Sequence, residues 1–295
     1  MRQERARYER ADELSPLRVQ AMRDTHSQGY TQPKLIFCDM DGTLLDNHHH
    51  LPPMFDDVME KVLRHDAIFI PTSWQRYPAL AHQLERYRAS FIFVADDGAI
   101  AMHGDAELFS MAMRQEDVMR VLEIGQRIPD AYMVLCGKQN TYVTSEWRPY
   151  ISDMGDYLLK NEVVNDLLET ASQQEIVKVA FFDLENYNAR KTIYPALCDL
   201  EGNIQVVVSG GYCVEVTAVG VSKGNAVRRL QNLLQIPPNQ CAAFGDGLND
   251  VGMLQAVKYG YAMANAHSSA KEAALFEAPA NTEYGVMTTL LEMFS

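Results

Sequence analysis

Basic side chains are scarce in this 295-residue chain: 26 Lys and Arg stand against 39 Asp and Glu, a formal net charge of −13. A protein this acidic lacks the basic face that a nucleic-acid or anionic-membrane binder needs, so neither partner is expected. A small anionic ligand is not excluded, because a local metal ion and a lysine outweigh distant charge. No apolar run approaches the roughly 18 residues that span a bilayer. Met1-Arg2-Gln3-Glu4-Arg5 has none of the apolar core of a signal peptide. The expectation is a soluble, cytoplasmic protein. Cysteine is sparse and unpatterned: Cys38, Cys136, Cys198, Cys213 and Cys241 form no C-x-x-C pair and read as reduced thiols, mostly core filler. A C-x5-R nucleophile signature fails at Cys38, whose sixth follower is Leu44. The dinucleotide pattern G-x-G-x-x-G fails after Gly245, because Asp250 stands where the third glycine belongs. No internal repeat or low-complexity tract appears.

What is present alternates. Residues 1–33, with six Arg and five Asp or Glu, read as an extension of solvated helix, with Ser15-Pro16 starting a second short helix. From Lys34, short buried strands (Leu35–Cys38, Ala67–Ile70, Phe91–Val94) alternate with helices around 54–64 and 77–88. That order predicts a parallel sheet. The theme returns with a helix over Lys223–Leu234, strands at Cys241–Phe244 and Tyr261–Met263, and a helix over Asp250–Val257. Between these blocks lie strand-like stretches at 131–135, 141–144, 177–182, 205–208 and 213–219, separated by helix-like stretches around 115–126, 155–168 and 187–200. The expected organisation is an N-terminal extension (1–33), a core domain (34–98 and 219–295) and an inserted α+β domain (99–218).

Chemistry concentrates at strand ends. Asp39-Met40-Asp41-Gly42-Thr43-Leu44-Leu45 places two carboxylates just beyond an apolar strand, where nucleophilic and acid–base roles can be divided. By itself the string reads equally well as a surface turn. Gly245-Asp246-Gly247-Leu248-Asn249-Asp250 follows a strand and opens a helix; Asp246 and Asp250 supply oxygens suited to a hard cation, or Asn249 or Asp250 simply caps the helix. Lys223 stands at a helix start, where the macrodipole disfavours a cation unless an anion joins it. Thr72 and Ser73 follow the second strand.

In that chain order the strings resemble the haloacid dehalogenase (HAD) superfamily of phosphatases. Gly220-Val221-Ser222-Lys223-Gly224, the run 245–254, and Ala264-Asn265-Ala266 with Lys271 look like its Cof-type sugar-phosphatase branch. The resemblance covers about residues 34–295. It implies a doubly wound, Rossmann-like core with a type IIB cap inserted. It also implies Asp39 as nucleophile and Asp41 as acid–base. Mg²⁺ would be held by Asp39, the Asp41 carbonyl and Asp246, with Asp250 orienting the metal's waters. Phosphoryl oxygens would be held by Ser73, Lys223, Asn249 and the main chain of Met40. The expected activity is Mg²⁺-dependent hydrolysis of small phosphorylated metabolites, sugar phosphates foremost. The alternatives are a phosphosugar mutase or phosphotransferase on the same core, or a non-catalytic phosphometabolite-binding regulator. A monomer or weak homodimer is expected.

The chain departs from the family pattern at two places. Where relatives carry T-G-R it has Ser73-Trp74-Gln75-Arg76, so Thr72 competes with Ser73 for the family hydroxyl. Trp74 either narrows the mouth or stacks on a sugar, or it packs against the cap hinge. Asp96-Asp97-Gly98-Ala99 stands where Glu-Asn-Gly-Ala is common. His48-His49-His50 reads as solvated loop histidines, with transition-metal binding as the other reading.

Overall fold

The computed structural model describes residues 32–295 apart from Asp153 and Glu201. The helices expected in 1–31 lie outside the described residues. Two compact units emerge: the described residues up to Ala67 together with Leu234–Ser295, and Ile68–Leu233.

The first unit is built on four parallel strands, in the order Phe276–Ala278, Tyr259–Met263, Cys241–Gly245, Leu35–Cys38. The two strands that carry the acidic motifs are buried at every position, as a parallel sheet with covered faces requires. Leu35 pairs with Cys241 and Cys38 with Phe244, so the two strands end level with each other. Helix Phe55–Arg64 buries Phe55, Val58, Met59 and Val62, the i, i+3, i+4, i+7 stripe of an amphipathic helix, and packs against Gly285–Met293. Asp56 and Asp57 open it and Lys61 and Arg64 close it, each complementing the helix dipole.

The second unit contains strand Ile68–Pro71, joined to Ile92–Ala95 by a parallel bridge between Thr72 and Val94. Ile92–Ala95 also begins a three-stranded antiparallel sheet with Ile100–His103 and Ala106–Ser110. The larger sheet has six strands, in the order 204–209, 213–218, 176–182, 132–137, 141–143, 161–163. It is antiparallel except at the last pair. Its central strand Ile176–Phe182 is buried throughout. Val179 and Phe181 pack with the helix residues Val118, Val121 and Leu122, while Ala180 and Phe182 pack around Trp147 on the other face. The chain is therefore α/β, a parallel sheet in one unit accompanied by a mixed α+β unit.

Several elements differ from their expected extent. The helix read around 155–168 is a 3₁₀ turn at Gly155–Leu158, a strand at Asn161–Val163 and a helix at Leu167–Gln173. Asp166 sets that helix start, its Oδ1 accepting the Leu168 N–H at 2.7 Å. The helix expected at 187–200 breaks into Ala189–Thr192 and Tyr194–Leu197, with Pro195 at the start of the second. The helix expected over 77–88 stops at Gln83, and the one expected over 250–257 stops at Leu254.

Candidate active site

Just past strand Leu35–Cys38, the Asp39 N–H donates to Phe244 O at 3.0 Å, extending the pairing by one residue into the acidic motif. The chain then closes on itself. Thr43, Leu44 and Leu45 N–H all approach the Met40 carbonyl, at 3.3, 3.0 and 2.9 Å. Gly42 has φ +80°, the left-handed region where a side chain strains the backbone. A Cβ there would lie 2.5 Å from Asp246 Oδ2, so the tight approach of the two motifs requires glycine.

Among the described residues, the metal-binding side chains that converge are Asp39, Asp246 and Asp250, with ligand atoms all within 4.8 Å of one another. Asp39 and Asp250 are buried; Asp246 is half-buried. Thr43 Oγ1 donates to Asp246 Oδ1 at 2.9 Å. Asp250 Oδ2 accepts the N–H groups of Asp246 and Gly247 at 3.0 and 2.9 Å, so this carboxylate shapes the loop that carries Asp246. Like charges held this close need a counter-charge, and a set made only of carboxylate oxygens suits a hard divalent cation. The residues present fit a metal. Asn249 lies exposed on the same loop, and Met40 is fully buried in the first turn.

Two asparagines clamp the first turn. Asn265 Nδ2 donates to Gly42 O at 2.8 Å, and its Oδ1 accepts the Asn281 N–H at 3.1 Å. Asn281 Nδ2 donates to Leu45 O at 2.9 Å. Asn265 belongs to a motif visible in the sequence; Asn281 carries no local signal. Asp41, on the same turn, is contacted by His49, whose Nδ1 lies 2.9 Å from Asp41 Oδ1. The histidine run is exposed, and among the described residues it belongs to no group of three or more converging metal-ligand atoms.

The other expected site residues lie in the second unit. Ser73 is fully buried: its N–H donates to Val94 O at 2.9 Å, its carbonyl accepts from Asp97 N–H at 3.0 Å, and its Oγ accepts from Gln75 N–H at 3.1 Å. Thr72 turns its hydroxyl back onto Ile70 O at 3.0 Å. Lys223 is fully buried at the first position of its helix. The turn Asp96-Asp97-Gly98 links these two segments, since a Cβ on Gly98 (φ +98°) would lie 2.5 Å from the Ser222 carbonyl. Trp74 stacks on Tyr157 with centroids 6.1 Å apart and planes at 24°.

Behind that turn lies a charged cluster with no sequence signature. Lys178 Nζ pairs with Asp96 Oδ1 at 3.2 Å and Glu215 Oε1 at 2.7 Å, and Arg76 approaches Asp96 at 3.7 Å. All four are buried. Burial works against the Lys178 ammonium, but Glu215, Tyr157 and Asp96 outweigh it and raise its pKa well above the usual lysine value.

A family model described as haloacid dehalogenase-like hydrolase matches residues 36–290. The chain is 26% identical over 267 residues to the 5-amino-6-(5-phospho-D-ribitylamino)uracil phosphatase YbjI of Escherichia coli, covering 87% of this chain and 94% of that protein. It is 27% identical over 277 residues to the putative phosphatase YxeH of Bacillus subtilis, covering 88% and 98%. Its fold matches the HAD subclass IIB sugar phosphatase BT4131 with a TM-score of 0.71 at 22% identity, covering 88% of this chain and 98% of that one. The chain belongs to the haloacid dehalogenase-like hydrolase family.

Proposed function

We propose that the protein is a Mg²⁺-dependent phosphatase of small phosphorylated metabolites, sugar or polyol phosphates foremost, acting through an aspartyl-phosphate on Asp39. The observation that carries this reading is the convergence of Asp39, Asp246 and Asp250 beyond the level ends of two paired strands. The name of the E. coli relative, a phosphatase of a phosphorylated ribityl compound, supports the substrate class.

As a carboxylate, Asp39 needs no activating base. Its oxygen attacks phosphorus while the ester P–O bond breaks, and the departing oxygen takes a proton from Asp41. Water then attacks the aspartyl-phosphate, Asp41 takes up its proton, and Asp39 is released with inorganic phosphate. Asp39, Asp246 and the Asp41 carbonyl would hold Mg²⁺, with Asp250 orienting its waters, and the ion would supply positive charge where two anions must meet. Lys223, Ser73, Asn249 and the amides of Met40 and Asp41 hold the phosphoryl oxygens. Residues 34–98 and 219–295 then form the catalytic domain, and 99–218 the cap that selects the leaving group.

The test is phosphate release from a panel of phosphorylated sugars, polyols and nucleotides, with Mg²⁺ and with chelator. Metal-dependent release that Asp39→Asn abolishes is expected. Silence across the whole panel, acetyl phosphate included, would sink the proposal, and dependence on a bisphosphate activator would move it to phosphoryl transfer.

A further inference from the structure

We infer that His49 is a positioning residue for Asp41, fixing the plane of the carboxylate that exchanges a proton with the leaving group; the inference rests on the acid–base role proposed above for Asp41. An Asp41 oxygen that carries no proton can only accept, so with the acid proton on Oδ2 the 2.9 Å contact makes His49 Nδ1 the donor to Oδ1. The contact is built by the loop. Asp46 Oδ1 accepts the N–H of His48 at 2.8 Å and of His50 at 2.9 Å, bracketing His49 on both sides. The His49 N–H itself donates to Asp46 O at 3.0 Å, and the Asp46 N–H donates to His50 O at 3.1 Å. Asn281 fastens the base of this loop through Leu45 O and, at 3.3 Å, Asn47 Oδ1.

His49 is exposed yet holds φ +60°, a conformation that most side chains avoid. In that conformation the ring lies back against the first motif. A carboxylate free to rotate would meet the ester oxygen in the right orientation only part of the time; one tethered at Oδ1 meets it in a fixed pose.

Two substitutions separate the hydrogen bond from the backbone. Asn and Gly both tolerate the left-handed conformation, but only Asn places an N–H donor where Nδ1 now stands. Substrates that differ in leaving group supply the readout. A sugar phosphate must expel an alkoxide and needs the proton; p-nitrophenyl phosphate expels a stable phenolate and does not. His49→Gly is expected to lower kcat/KM about tenfold on the sugar phosphate and to leave p-nitrophenyl phosphate within about twofold, with His49→Asn restoring the first. The Mg²⁺ requirement and Tm should stay as in the parent. Equal losses on both substrates, or none on either, overturn the inference. Asp41→Asn run alongside distinguishes the two failures when both substrates are compared in kcat/KM, which stops at departure of the leaving group and leaves out the shared hydrolysis of the aspartyl-phosphate that Asp41 also serves. If it spares p-nitrophenyl phosphate while His49→Gly does nothing, only the positioning role falls; if it treats both substrates alike, the acid role of Asp41 falls and takes the inference with it.

Discussion

Thr43 Oγ1 donates to Asp246 Oδ1 at 2.9 Å although 203 positions separate the two residues. The bond ties the turn after one strand to the loop after its parallel neighbour, and the pairing of Cys38 with Phe244 brings both within reach. The carboxylates of Asp39 and Asp246 are thus brought together by backbone register and a hydroxyl. Preorganisation of this kind is what a site for charge stabilisation needs.

Gly42→Ala tests that arrangement. A methyl group there meets Asp246 Oδ2 at 2.5 Å and forces a left-handed backbone that costs about 1–2 kcal/mol. The oxygen has to move, and with Asp246 in its proposed role metal affinity should move with it. Half-saturation by Mg²⁺ should rise at least about tenfold, a change equivalent to about 1.4 kcal/mol, in an otherwise folded protein. Activity against Mg²⁺ concentration reads it directly. An unchanged half-saturation means Asp246 does not set metal affinity.

Asp250 separates loop shaping from charge. Its Oδ2 accepts two backbone N–H groups from a fully buried position. Asp250→Ala strands both donors and should cost about 1–3 kcal/mol in urea denaturation. Asp250→Asn keeps an acceptor oxygen and should recover most of that stability while activity stays low. If Asn restores both stability and activity, the negative charge at position 250 is dispensable.

Much of the framework is legible in the sequence because its signals are local. Leu35–Cys38 is an apolar run stopped by Asp39, and helix Lys223–Leu234 has its expected bounds. The stretches that differ from expectation are those where a local device interrupts the pattern: the Asp166 cap, and Pro195 inside an otherwise helical run. The Asp39–Asp246–Asp250 group forms because both motifs sit at the carboxyl ends of paired strands, a rule of open α/β sheets. The contact of His49 with Asp41 and the Lys178 cluster depend on pairing in three dimensions. Nothing within a few residues of Lys178 announces Asp96 or Glu215.

Asp183, just past strand Ile176–Phe182, is expected to contribute to acid sensitivity. Burial opposes its ionisation, but N–H groups of Asn186 and Asn188, the Asn186 amide and the Thr192 hydroxyl outweigh that and lower its pKa below the ordinary 3.8. A carboxyl depressed in the folded state lends stability above its unfolded pKa and loses it as pH falls through the folded value. Asp183→Asn should therefore cost about 1–3 kcal/mol at pH 7, with the gap to the parent narrowing below about pH 4. Urea midpoints at several pH values decide it; a gap independent of pH would show that ionisation is irrelevant.

Lys178 offers the sharpest contrast between a single change and a paired one. The ammonium lies between Glu215 and Asp96 in a sheet interior, and Arg76 also reaches the Gly137 and Asn140 carbonyls at 2.5 and 3.1 Å. Burial pushes the Glu215 carboxyl up while Lys178 pulls it down, and the upward push wins. Removing the cation leaves that carboxyl with its main partner gone. Lys178→Met should cost about 3–5 kcal/mol, because an uncompensated buried charge is worse than none. Asp96 keeps Arg76, so the damage falls on Glu215. Adding Glu215→Met removes the stranded group and should recover a large part of the loss. The comparison is made by denaturant titration of both single variants and the double. Were the double variant no more stable than Lys178→Met alone, the pair would be contributing through packing of its aliphatic stems and not through charge.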